Sequence, residues 1–179
     1  MSKIGRKPIA FSAAKIEITG NDVAISGPKA QFVHTLPEGL MAEIDEKNLK
    51  ISMREPSRNA RMLWGLHRAL LANKVKGAET GFEQKMTIVG LGYKALLTGS
   101  KVVFSLGYTH KIEYDLPKEV TLEVDKSGQI LIFRSSDRFI LGNVCDAVRS
   151  FRPPEPYKGT GIIRDGEVVL RKAGKTKSS

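Results

Sequence analysis

The chain has 179 residues, 41% of them hydrophobic, and carries 29 Lys and Arg against 19 Asp and Glu for a net charge of +10. This length admits one or two domains, the apolar content excludes disorder as the starting assumption, and the cation excess points to a polyanionic partner, nucleic acid first. A single cysteine, Cys145, excludes an internal disulfide and a cysteine-based metal site and suits a reducing compartment.

The N-terminal arm holds Lys3, Arg6, Lys7 and Lys15 without an acid, and no apolar stretch of a signal peptide follows it. No run of 18 apolar residues occurs anywhere, the length a membrane-spanning helix requires. A cytoplasmic protein is expected. Ile16, Ile18 and then Val23, Ile25 alternate with polar residues across Thr19-Gly20-Asn21-Asp22, which reads as a hairpin. Gly27-Pro28-Lys29 is a further turn. Alternation returns at Ala42, Ile44 and at Leu49, Ile51, Met53. Ser57 then suits a helix N-cap, and Leu63, Trp64, Leu66 and Leu70 recur at helical spacing through to about Lys74. Trp64 at that spacing reads as core. Arg54, Arg58, Arg61, Arg68, Lys74 and Lys76 lie on or beside this helix; a solvated face explains them more plainly than a binding site does. Residues 77–86 read as a short linker.

A second series of strands follows. Ala95, Leu97 and Val102, Phe104 flank Gly99-Ser100-Lys101; Ile112, Tyr114 come next; then Leu122, Val124 and Ile130, Ile132 flank Asp125-Lys126-Ser127-Gly128. Gly90-Leu91-Gly92 lacks the third glycine of a dinucleotide fingerprint, since residue 95 is Ala, so it reads as a bulge or a point of close packing. Ser136 or Asp137 opens a second helix with Ile140, Val144, Ala147, Val148 and Phe151, which Pro153-Pro154 must end. Cys145 within it reads as an inert buried thiol.

The two series repeat each other. Thr19-Gly20 recurs as Thr98-Gly99, Leu36-Pro37 as Leu116-Pro117, Ile44-Asp45 as Val124-Asp125, Arg54 as Arg134, Ser57-Arg58 as Asp137-Arg138, and Lys76-Gly77 as Lys158-Gly159. The expectation is an α+β fold of two tandem similar domains from an internal duplication, each an antiparallel sheet covered by one helix. Residues 1–82 form the first domain with its basic arm; residues 83–179 form the second with a proline loop and a basic tail.

Catalytic chemistry is not indicated. His34, His67 and His110 have no metal-ligand spacing, and neither a nucleophile elbow nor a phosphate-binding glycine loop occurs. No enzyme activity and no cofactor are expected. Basic chemistry concentrates in residues 147–179, where Arg149, Arg152, Lys158, Arg164, Arg171, Lys172, Lys175 and Lys177 face three carboxylates. The stretch Arg152-Pro153-Pro154-Glu155-Pro156-Tyr157-Lys158-Gly159-Thr160-Gly161 is stiff at its start and permissive at its end. Two readings remain open for it: a rigid connector between helix and strand, or an RNA-docking loop with Tyr157 placed to stack. The tail is too poor in apolar groups to fold alone and suits ordering against phosphate. An adaptor that binds a peptide or factor on its sheets is the rival reading.

The N-terminal Ser-Lys-Ile-Gly-Arg-Lys-Pro-Ile, the Gly27-Pro28-Lys29 turn, the proline-tyrosine stretch through Ile162 and Arg171-Lys172-Ala173-Gly174-Lys175 resemble bacterial large-subunit ribosomal proteins of the L-six family, over nearly the whole chain. The resemblance implies a non-catalytic protein of the large ribosomal subunit in the cytoplasm. It implies contact with large-subunit ribosomal RNA near the sarcin–ricin loop, with neighbouring ribosomal proteins, and proximity to translational GTPases. Carried onto this chain, the family's loop implicates Pro156, Tyr157, Lys158, Gly159 and Gly161. The family usually has a lysine where Thr160 stands, and nearby Arg164 is the expected substitute. With the arm's Lys3, Arg6 and Lys7, these residues and the C-terminal cations make up the expected RNA-binding set.

Overall fold

In the computed structural model, which describes residues 3–54 and 57–174, the chain forms two compact α+β units. One comprises the residues up to Phe82 together with Ser136–Arg138; the other comprises Glu83–Ser135 and the residues from Phe139 on.

The first unit begins with β1 (Ile9–Ala10) and the hairpin β2 (Lys15–Thr19) and β3 (Asp22–Ser26). Ile16 pairs with Ile25 and Ile18 with Val23, so the apolar residues of both strands share one face. The turn works because Gly20 takes φ +63°. β4 (Gln31–Thr35) joins β3, and β5 (Leu40–Asp45) pairs with β6 (Asn48–Met53), whose other edge takes β1. β4 was not anticipated, because its buried residue is His34, which interrupts the apolar alternation.

Helix α1 (Arg58–Glu79) starts where expected, with the Ser57 hydroxyl accepting the Ala60 N–H at 3.0 Å. It runs well past Lys74. The expected linker is therefore the last turn of α1 followed by strand β7 (Phe82–Val89). Gly77 does not break the helix. A Cβ there would lie 2.1 Å from the Ser136 carbonyl oxygen, so glycine serves close packing inside the first unit. The buried stripe is Ala60, Trp64, Leu71, Val75 and Ala78; of the expected residues Trp64 is buried and Leu63 packs half-buried against the core. Leu66 and Leu70 are 52% and 39% exposed. The large indole decides the phase: its Nε1–H donates to the Ile51 carbonyl at 2.7 Å, and its ring leaves no room for a side chain at Gly5.

The second unit repeats the plan. β8 (Lys94–Thr98), β9 (Lys101–Ser105) and β10 (Ile112–Asp115) form one sheet. β11 (Val120–Val124), β12 (Ile130–Ser135), β7 and a final β13 (Gly161–Arg164) form the other, in that order. Helix α2 (Arg138–Phe151) buries Leu141, Val144, Cys145 and Val148. Phe104, Phe133, Leu131, Met86, Ile88 and Ile162 fill the core around it. On β12 the inward residues are Leu131 and Phe133, while Ile130 and Ile132 are half-buried on the other face.

The duplication extends to single hydrogen bonds. Leu36 N–H donates to Asn21 C=O at 2.8 Å, and Leu116 N–H to Ser100 C=O at 3.0 Å. Leu40 N–H donates to Pro37 C=O, and Val120 N–H to Pro117 C=O. The two helices begin at Arg58 and Arg138. One sequence match fails: Lys76-Gly77 is helical, whereas Lys158-Gly159 lies in a loop. Each unit divides its strands between two small sheets.

Candidate nucleic-acid interface

Helix α2 stops at Phe151, as the two prolines require. The chain then closes on itself before β13. Ile162 N–H donates to Arg152 C=O at 2.8 Å, Glu155 N–H to Thr160 C=O at 2.9 Å, and Gly159 N–H to Glu155 C=O at 2.9 Å. The glycines serve this closure. Gly161 takes φ +143°, and a Cβ there would lie 2.7 Å from Pro153 C=O. Gly159 takes φ +71°, with the Arg171 guanidinium 2.9 Å from where its Cβ would be. Their close approach is thus to the chain itself.

Tyr157 and Lys158 sit at the outer bend, the tyrosine 56% exposed. The tail runs back beside them, with Lys172 N–H donating to Pro156 C=O at 2.8 Å and Arg171 packed over Gly159. Lys158, Arg171 and Lys172 therefore gather on one exposed ledge. Among the described residues none of the three enters an ion pair. An unneutralised cluster of this kind raises the local potential and favours anions.

The other described cations of the segment, Arg149, Arg152 and Arg164, have partners within the chain. Arg149 grips Glu167 through two hydrogen bonds, at 3.1 and 2.5 Å. This bond, more than the opposing desolvation, holds the Glu167 carboxyl below its ordinary range. Arg164 pairs with Asp146 and donates its backbone N–H to Glu167 at 3.2 Å. Both arginines brace the base of the loop against α2 rather than present charge outward. The guanidinium of Arg164, the expected substitute for a lysine at 160, is thus engaged with Asp146 on α2. The Thr160 hydroxyl is turned inward onto the Glu155 carboxylate at 3.1 Å. Arg152 lies over two rings, 4.8 Å from the centroid of Tyr108 and 5.8 Å from that of Tyr93.

In the first unit Lys3, Arg6 and Lys7 are exposed. Arg68 pins the arm, donating to the carbonyls of Lys7 and Pro8 at 3.0 Å each. Lys175 and Lys177 lie outside the described residues.

The chain matches the family described as Ribosomal protein L6 over residues 12–81 and 89–165. It belongs to that family. It is similar to the large ribosomal subunit protein uL6 of Gloeothece citriformis (strain PCC 7424), 44% identical over 177 residues that cover 98% of each chain. The uL6 of Synechococcus sp. (strain JA-2-3B'a(2-13)) is 42% identical over the same length, covering 98% of this chain and 97% of the relative. The uL6 of Nostoc sp. (strain PCC 7120 / SAG 25.82 / UTEX 2576) is 38% identical. The two matched stretches of the L6 family each contain one of the helices, in keeping with the repeat.

Sequence reasoning missed the rings around Arg152. Their signal was the glycines: a Cβ at Gly90 or Gly107 would lie 2.4 or 2.7 Å from the Tyr93 ring, so both are shaped to hold it. It also missed that His34 Nε2 meets His67 Nδ1 at 2.9 Å, a contact no sequence spacing announces. Among the described residues no group of three or more His, Cys, Asp or Glu could hold a metal. Cys145 is buried, and desolvation pushes its thiol up to about 11, far from a reactive thiolate.

Proposed function

We propose that the chain docks on large-subunit ribosomal RNA through the proline loop and the tail laid beside it. As a member of the L6 family it is a structural constituent of the large ribosomal subunit, which is cytoplasmic in bacteria, and it is not an enzyme. The observation that carries the docking reading is the ledge of Lys158, Arg171 and Lys172, exposed and, among the described residues, free of carboxylate partners, next to an exposed Tyr157.

On this reading the three cations neutralise phosphates and Tyr157 packs on a sugar or base. Pro156, Gly159 and Gly161 hold the bend that presents them. Lys175 and Lys177 continue the basic tail, and Lys3, Arg6 and Lys7 form a second basic contact from the first domain. Arg149, Arg152 and Arg164 act indirectly, by bracing the loop. Residues 1–82 and 83–179 are the two domains, and the docking site lies near the sarcin–ricin loop and the platform of the translational GTPases.

The test is a photo-crosslinker placed at residue 157 in assembled subunits. Crosslinks to large-subunit RNA near the sarcin–ricin loop are expected. Crosslinks only to polypeptide, together with release of the chain from subunits by a high-salt wash, would point to an adaptor instead.

A further inference from the structure

We propose that Tyr108 and His110 form a second stacking site, for one unpaired base of the bound RNA, apart from Tyr157. This rests on the RNA-docking reading above. Tyr108 lies under the Arg152 guanidinium at 4.8 Å and donates its hydroxyl to the Phe151 carbonyl at 3.1 Å. The His110 ring stands 5.9 Å from it, tilted by only 16°. Arg152 also lies 5.8 Å from the centroid of Tyr93, which is clasped between Gly90 and Gly107. Tyr108 and Tyr93 are therefore set in place before any ligand arrives, and little of their rotamer freedom is left to lose on binding.

Tyr108 is 42% exposed and His110 is exposed beside it. The segments that build this ledge, residues 90–94 and 106–111, carry Lys94 and Lys111 and no carboxylate; Glu155 of the proline loop is the acid that acts on Arg152. Flat aromatic surface within a positive field matches a ligand that is both planar and anionic, which is a nucleotide. Stacking on a ring tolerates any base, because every base offers a π-face.

The experiment measures binding of full-length protein to large-subunit ribosomal RNA. His110→Ala should weaken binding roughly 5- to 150-fold, the range that loss of one stacked base produces. The dependence on salt should stay unchanged, since no phosphate contact is lost. His110→Phe should bind like the original chain, a rescue that a merely structural histidine would not give. As a second measurement, RNA substituted with 4-thiouridine should crosslink to Tyr108 or His110. Binding of His110→Ala within about twofold of the original, or crosslinks at Tyr157 with none at residues 107–111, overturns the second site and leaves the docking reading intact. Absence of RNA binding by the original chain overturns both.

Discussion

Replacing Lys158 and Lys172 together by alanine separates an RNA-docking loop from a rigid connector. Both side chains are exposed, and neither enters an ion pair among the described residues. The hydrogen bond to Pro156 uses the Lys172 backbone, so alanine preserves it. Stability should therefore move by no more than about 0.5 kcal/mol, or a melting shift of about 1–2 °C. Binding should change much more. Each neutralised phosphate contributes about 0.9 to the slope of log affinity against log salt, so raising salt from 50 to 200 mM costs about 3.5-fold per contact. Loss of two contacts should lower the slope by about 1.8 and shrink the salt effect over that range by about 12-fold. Filter binding to large-subunit RNA across a salt series, paired with calorimetric melting, provides both numbers. An unchanged slope, or a loss of stability in step with binding, refutes the reasoning. Arg152→Ala is a poor substitute, because the side chain rests on two tyrosines and its loss would disturb fold and binding together.

Gly77→Ala should lower the melting temperature despite alanine's better helix propensity, because the new methyl meets the Ser136 backbone oxygen at 2.1 Å; about 1–3 kcal/mol of lost stability is expected by urea titration, and a gain would refute the packing. Glu79 Oε1 accepts the N–H groups of Ser12, Ala13 and Ala14 at 2.6, 2.8 and 3.1 Å. Burial opposes its charge, yet these bonds outweigh it and hold the carboxyl below its ordinary range. Its contribution is thus present above the ordinary carboxylate pKa and is lost as pH falls through the lowered one. Glu79→Ala should cost about 1–2 kcal/mol at neutral pH and less in acid, read from urea midpoints. Desolvation, then Lys74 and His67, push His34 down to about 4. Below about pH 6.5 the unfolded chain binds a proton that the folded one refuses, so stability should fall as pH drops from about 6.5 towards 4. A His34→Gln variant should show a flatter urea midpoint between pH 7 and 5; an equal slope would remove the pair as the cause.

Much of this molecule can be read from local pattern. Two-residue alternation announced most of the strands, the Ser57 cap and the two prolines marked helix ends, and pairs such as Leu36-Pro37 and Leu116-Pro117 disclosed the repeat, because each reflects chemistry between residues close along the chain. The proline-tyrosine stretch and the surrounding cations identified the candidate interface for the same reason. Which cations pair with carboxylates of the chain itself was not legible. Arg149 and Arg164 look like Lys158 in sequence, and only the return of β13 beside α2 sets Glu167 and Asp146 against them. The same holds for the tyrosines under Arg152, the histidine pair, and the inward phase of α1. Charge and turn chemistry are properties of residue types and near neighbours, whereas neutralisation, stacking and burial depend on partners that folding brings together from distant parts of the chain.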